Sequence, residues 1–175
     1  MPFGGKKYHR LYQLIDLYSL FYLNFISNSK LSYAAEWVLA LDDPSQRAWS
    51  GYAFEMVCML HTSQIKKALD ILGVQASVSS WSGKTENNGS QIDLLIDQRD
   101  QVITVCQIKF STAPYEVSKK YAEEVQAKVK IFREVTKTNK SIFLTFISTF
   151  GLKEGNFKRD FVQNDLTMSD LFLPV

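Results

Sequence analysis

Three segments with the composition of buried β-strands constrain the fold of this chain more than any other feature. They are QIDLLID at 91–97, VITVCQIKF at 102–110 and SIFLTFIS at 141–148. A short polar turn around Arg99 and Asp100 joins the first two, which predicts an antiparallel hairpin. A weaker strand is predicted at 74–81, and a loop rich in turn-forming residues follows at 82–90. The centre of the chain therefore predicts a β-sheet.

Helical periodicity appears on both sides of the first three strands. Asp43 and Pro44 form a helix start, and apolar residues at helical spacing then run from Phe54 to Leu72, with Glu55 beside them. A second helix is predicted at 118–135, before the last strand. The order helix, three strands, helix, strand predicts an α/β fold with a mixed sheet.

The N-terminal region is rich in aromatic residues, with 12 of the 23 in the first 54 positions. The run LYQLIDLYSLFYLNFI at 11–26 predicts a buried helix, and Asp16 near its middle argues against a membrane span. Such a helix must dock on the rest of the chain, on a second copy or on a missing segment. We divide the chain into a helical extension at 1–43 and a domain at 44–175.

Composition indicates a globular protein and does not by itself indicate a partner. The chain has 20 basic and 18 acidic residues, a net charge of +2. Only two cysteines are present and no secretory signal is apparent at the N-terminus, so we expect a cytoplasmic protein without disulfides and no membrane partner.

The positive charge is concentrated in the second predicted helix. The segment 119–140 holds seven basic and three acidic residues, a local charge of +4. Two interpretations remain open: a track for nucleic-acid phosphates, or an ordinary solvated helix face. The candidate nucleic-acid contacts are Gln91, Lys119, Lys120, Lys128, Lys130 and Arg133.

Polar residues in the two hairpin strands form the candidate chemical site. A register that pairs 97 with 103 and 95 with 105 also sets Asp93 beside Gln107, with Lys109 on the same face. Aspartate is disfavoured inside a strand, so an aspartate at position 93 indicates a specific role for its carboxylate. Carboxylate and amide oxygens suit Mg²⁺, and a neighbouring lysine would orient water and stabilise charge on a phosphoryl group. The alternative is a polar sheet face that meets only solvent.

The motifs GYAFE at 51–55, QID at 91–93 and QIK at 107–109 resemble those of the PD-(D/E)XK nuclease superfamily. The resemblance implies a restriction-endonuclease-like core of order αβββαβ. It also implies that Glu55, Asp93 and Gln107 hold Mg²⁺ or Mn²⁺ and that Lys109 acts at the nucleophile. For Glu55 an ordinary helix glutamate is the alternative.

A longer set of segments is similar to the C-terminal nuclease-like domain of bacterial and archaeal ATP-binding proteins. These are the run from Trp49 to Val74, then QIDLLID, VCQIKFS and TFISTFG. In that family an AAA+-type ATPase and a winged helix precede the domain, and the aromatic N-terminal helix resembles the connection. Gly4-Gly5-Lys6-Lys7 lacks the spacing of a phosphate-binding loop, so we expect no ATPase activity and a parent portion as partner.

Gln107 departs from the family pattern, which usually has glutamate there. Mrr-type restriction nucleases of the same superfamily have a QxK version, so the glutamine does not imply an inactive enzyme. The sequence therefore predicts a Mg²⁺-dependent deoxyribonuclease. The alternatives are a catalytically weak or inactive module that binds DNA, or one that regulates its parent ATPase or oligomerises through the N-terminal helix.

Overall fold

The computed structural model of the protein describes residues 14–27, 43–85 and 89–175. It divides into two compact units, Met1–Met56 and Val57–Val175. Its helices are α1 (Leu17–Phe21), α2 (Pro44–Leu60), α3 (Thr62–Ala68), α4 (Lys119–Thr136) and α5 (Asn156–Phe161), with a π-helical segment at Tyr22–Ile26 and a 3₁₀-helix at Met168–Phe172. Its strands are β1 (Ala76–Lys84), β2 (Gly89–Gln98), β3 (Val102–Lys109), β4 (Ser141–Ser148) and β5 (Asn164–Thr167).

The first unit contains α1, the π-helical segment and most of α2. Asp16 caps α1, because its Oδ1 accepts hydrogen bonds from the amides of Tyr18 and Ser19 at 3.1 and 3.4 Å. Phe21 and Phe25 contact Trp49, with ring centroids 6.0 and 5.8 Å apart. The prediction of a buried helix at 11–26 is wrong for the described part, since no residue of α1 or of the π-helical segment is buried. Residues 11–13 of that prediction lie outside the described residues.

The second unit is built around a five-stranded mixed sheet of order β1-β2-β3-β4-β5. Strands β1, β2 and β3 are antiparallel neighbours, whereas β3, β4 and β5 run parallel. Helix α4 makes the crossover between β3 and β4, as a parallel connection requires. The α/β prediction with a mixed sheet is confirmed. Strand β5 and helix α5 extend the predicted order at its C-terminal end.

Helix α2 begins where the sequence indicates, because Asp43 accepts from the amides of Ser45 and Gln46 at 2.8 and 3.4 Å. The helix continues through Ser50 and Gly51 and breaks at His61, whose backbone (φ −109°, ψ 32°) leaves the helical region. Helix α3 then ends at Ala68, four residues before Leu72, where the predicted run of helical spacing ends.

Helix α4 packs on one face of the sheet and contributes three residues to the core, Ala122, Val125 and Phe132. Ser118 caps it, and Val125 and Phe132 are fully buried. The ring of Phe132 meets Trp81 edge-on, with centroids 5.0 Å apart. On β3, Cys106 points to the opposite face from Gln107. Both cysteines are buried, and burial together with the nearby Cys58 raises the pKa of the Cys106 thiol, so Cys106 is an unreactive core residue.

The segment after β4 turns sharply at Gly151, whose φ of 79° suits glycine. Asp165 on β5 holds this turn, since its carboxylate accepts from the amide of Leu152 at 3.0 Å and pairs with Lys158 at 3.0 Å. The carboxylate of Asp165 therefore has a structural role in this turn. Over the described residues, no helix is both long and apolar enough to cross a membrane.

Candidate functional site

The candidate site lies where β2 and β3 separate. Their ladder pairs Asp97 with Ile103 and Leu95 with Val105, as the sequence predicts, but it ends at Leu94 and Cys106. The predicted pair of Asp93 and Gln107 is therefore not part of the ladder.

A β-bulge explains this departure. Between the pairs Ser79–Leu95 and Trp81–Ile92 of the β1–β2 ladder, β2 contributes two residues, Asp93 and Leu94, where β1 contributes one. Bulges bend a strand, re-aim its side chains and recur beside active sites. Asp93 therefore lies in the bulge, where strand alternation alone does not predict the direction of its side chain. It is adjacent to Leu94, the last residue of β2 that pairs with β3.

Gln107 and Lys109 extend from β3 on the side that α4 covers. Gln107 is 2% exposed, and its Nε2 donates to the carbonyl oxygen of Cys106 at 3.4 Å. Its Oε1 accepts a long hydrogen bond of 3.4 Å from the hydroxyl of Tyr121, in the first turn of α4. The ammonium of Lys109 lies over the same tyrosine ring, 4.8 Å from its centroid.

Lys109 ends β3 beside Ser148, its register partner at the end of β4. Ligands commonly bind at the carboxyl ends of parallel strands. The hydroxyl of Ser148 is buried and has no hydrogen-bond partner among the described residues.

Asp93 is half-buried, and its Oδ1 accepts from Nε2 of Gln91 at 3.1 Å. Burial raises the pKa of Tyr121 well above its ordinary value, and Tyr115, the carboxylate of Asp93 and Glu124 raise it further. Tyr121 is thus a neutral donor within electrostatic range of Asp93. Gln107 and Lys109 thus both contact Tyr121, and Asp93 lies beside the last pair of the β2–β3 ladder, Leu94 and Cys106.

Glu55 lies half-buried on α2, in the first compact unit, whereas Asp93, Gln107 and Lys109 belong to the second. The role of Glu55 as a further ligand stays a prediction.

The oxygens of Asp93 and Gln107 fit a hard divalent cation. Mg²⁺ binds through one or two carboxylates, keeps several waters and takes further oxygens from a substrate phosphate. The described residues contain no group of three or more His, Cys, Asp or Glu side chains that could enclose a metal ion. A cation held by these two oxygens would take most of its coordination from water or substrate.

The basic residues of α4 divide by position. Lys119, Lys130 and Arg133 are exposed and fall within about 60° of one another on the helix, forming a stripe about 21 Å long that we call the basic stripe. Lys120 is also exposed, but it lies about 100° around the helix axis from Lys119 and so outside the stripe. Lys128 is half-buried on the opposite side of the helix, so it stands apart from the stripe.

A second polar cluster lies at the other end of β2. Asp97 pairs with Lys140 at 2.6 Å, and both line an open cleft of about 340 Å³ with Arg99 and Gln75. Arg99 donates to Oε1 of Gln75 at 3.1 Å. In this cleft Asp97 and Lys140 neutralise each other, whereas Arg99 is hydrogen-bonded to a neutral side chain.

Tyr121 is the site residue that sequence reasoning missed. Its spacing from Val125 and Phe132 places it on the same helical face as these two buried residues, which is the usual pattern of a core residue. The available signal was its position in the first turn of the helix that follows Lys109, on the face directed at the sheet.

Comparisons with known proteins leave the family open. No protein-family profile matches the chain, and no curated protein matches it. A solved crystal structure of a protein of unknown function, AF1548, aligns with a TM-score of 0.42 and 16% sequence identity. The alignment covers 59% of this chain and 51% of that one, so the chain spans about half of its length.

Proposed function

We propose that the protein is a metal-dependent nuclease with a PD-(D/E)XK-like core, which hydrolyses phosphodiester bonds of DNA with Mg²⁺ or Mn²⁺. The observation that carries the proposal is that Gln107 and Lys109 both contact Tyr121 where β2 leaves β3, with Asp93 in the adjacent bulge of β2. The QID and QIK motifs and the carboxyl-end position of Lys109 support the same assignment.

Each of these residues has a defined task in the proposal. Asp93 supplies the negative charge that holds the cation, and Oε1 of Gln107 supplies a neutral oxygen ligand. A bound Mg²⁺ would polarise a phosphoryl oxygen and lower the pKa of a bound water. The ammonium of Lys109 would act at the reacting phosphate, where it would orient the attacking water and offset the charge that develops. Gln91 fixes the orientation of the Asp93 carboxylate through its hydrogen bond.

Nicking of a supercoiled plasmid in Mg²⁺ or Mn²⁺ tests the proposal. We expect the wild type to nick the plasmid and Lys109→Ala to do so about ten- to a hundredfold more slowly, the usual cost of losing one group that stabilises transition-state charge. Chelation with EDTA is expected to stop the reaction.

Lys153→Ala is the matched control for Lys109→Ala. Lys153 is exposed and pairs with Glu116 at 2.9 Å, so its removal should leave the nicking rate unchanged. Cleavage that survives Lys109→Ala at the wild-type rate would contradict the assigned mechanism. A wild type that binds the cation but never cuts DNA would contradict nuclease activity itself.

DNA is the proposed partner, and the basic stripe is its proposed contact. In Ca²⁺ or EDTA, the logarithm of the DNA-binding constant should fall linearly with the logarithm of salt concentration. The double variant Lys130→Ala/Arg133→Ala should reduce the slope by about two, because each residue neutralises about one phosphate. Fluorescence anisotropy with a labelled duplex measures the slope, with Lys153→Ala as the control. An unchanged slope would show that the stripe is a solvated helix face.

One observation favours a second candidate, a nuclease-fold module that binds DNA without cutting it. Gln107 is neutral and buried, and both polar atoms of its carboxamide have protein partners. A site with one carboxylate fewer attracts a cation less strongly. This candidate predicts DNA binding with a normal salt slope and no nicking, so the two experiments together separate it from the nuclease.

A further inference from the structure

The backbone of Tyr121 is fixed by the start of helix α4. Its amide donates to Oγ of Ser118, the residue that caps the helix, at 3.2 Å. Side-chain caps of this kind fix the first turn of a helix. The Tyr121 side chain therefore extends from a defined point toward β3 and β4.

Two aromatic neighbours hold the ring itself. Tyr115 and Phe146 both meet it edge-on, with centroids 5.9 and 6.4 Å away and interplanar angles of 80° and 82°. Edge-to-face contacts restrict the rotation of an aromatic ring. The ring of Tyr121 is a rigid surface, not a mobile side chain at the rim of the site.

This rigid ring contacts the lysine of the candidate site. The Lys109 ammonium lies 4.8 Å from the ring centroid, within the range of a cation–π contact. Among the described residues, Lys109 forms no ion pair with a carboxylate. Asp93 is adjacent to Leu94, whose ladder partner Cys106 lies three residues before Lys109, so a lysine released from the ring would have this carboxylate as an alternative partner.

We infer that Tyr121 is a positioning residue whose ring keeps Lys109 away from Asp93, leaving that carboxylate available to a divalent cation, and whose hydroxyl orients the Gln107 amide oxygen. The inference deepens the proposed function and rests on it for the identity of the cation. Its physical basis is competition. An ammonium paired with Asp93 would compete with the cation for the same oxygens, whereas an ammonium on an aromatic face does not.

The first test compares Mn²⁺ binding by calorimetry in three variants. Tyr121→Leu removes the ring, so Lys109 can pair with Asp93, and Mn²⁺ affinity should fall about five- to tenfold. Tyr121→Phe keeps the ring and should bind Mn²⁺ within about threefold of the wild type. In a Lys109→Ala background, Tyr121→Leu should have no further effect, because no lysine remains to compete.

The second test observes Lys109 directly in metal-free protein. The ring should shift the NMR signals of the Lys109 ε-methylene group upfield, and Lys109→Ala identifies these signals by their loss. The shift should persist in Tyr121→Phe and disappear in Tyr121→Leu, with thermal melts confirming that both variants fold.

The outcomes separate the inference from the proposed function. The protein could show an upfield shift that depends on the ring and yet neither bind Mn²⁺ nor nick DNA. That result would support the contact between Tyr121 and Lys109 but contradict the proposed nuclease function. Metal-dependent nicking with a Lys109 signal unaffected by Tyr121→Leu would overturn the positioning role. A loss of Mn²⁺ affinity that is equally large in the Lys109→Ala background would overturn it as well, since the effect would then not pass through Lys109.

Discussion

An Asp93→Asn variant is expected to lose both metal binding and cleavage. Asp93 provides the carboxylate that the second unit brings to Gln107 and Lys109, and asparagine keeps its shape while removing its charge. At 4 Å and an effective dielectric constant near 20, a unit charge interacts with a dication by about 8 kcal/mol before desolvation is subtracted. We expect about a hundredfold weaker Mn²⁺ binding and about a thousandfold slower nicking, or ~4 kcal/mol in the barrier.

The fold should tolerate this change. The hydrogen bond from Gln91 to Oδ1 can form equally well with an asparagine oxygen. Thermal unfolding of the metal-free variant should therefore match that of the wild type. Asp100→Asn, in the exposed turn of the same hairpin, removes an identical charge from outside the site and serves as the control. Nicking by Asp93→Asn within about tenfold of the wild-type rate would contradict a ligand role for Asp93.

The sheet was predictable because its central strands are strongly patterned. β3 and β4 consist almost entirely of β-branched, aromatic and other apolar residues, and the polar turn at Arg99 fixes the register of the hairpin. In contrast, α5 and β5 have six and four residues and no fully hydrophobic face. Their position depends on contacts such as Asp165 with Lys158, which join parts of the chain through tertiary structure.

The candidate site was predictable in its residues but not in its geometry. Strand alternation correctly grouped Gln107 with Lys109, since both extend toward α4. It did not predict the bulge at Asp93, because a bulge depends on how β2 pairs with β1 as well as with β3. Tyr121 was not predicted as a site residue, for a related reason. A tyrosine at core spacing on a helix has the same pattern whether its hydroxyl meets solvent or a buried amide.

A Gln107→Glu variant is expected to bind Mg²⁺ about a hundredfold more tightly than the wild type. The added charge attracts a dication by about 8 kcal/mol at an effective dielectric constant near 20, and the cost of burying that charge removes several kcal/mol of it. A net gain near 3 kcal/mol corresponds to roughly two orders of magnitude in affinity. Calorimetric titration of both proteins with Mg²⁺ measures the difference, and equal affinities would contradict a ligand role for position 107.

The same substitution should affect stability in opposite directions with and without metal. Residue 107 is 2% exposed, so without metal the new carboxyl is desolvated, and the strand register places it near Asp93. Both effects raise its pKa, and we expect the metal-free variant to lose about 1–3 kcal/mol of unfolding free energy. Saturating Mg²⁺ should reverse the order, because tight binding to the folded state stabilises it by mass action. Gln126→Glu adds the same carboxylate to an exposed position on α4 and should show neither effect. A variant that is destabilised equally with and without Mg²⁺ would mean that the cation does not reach residue 107.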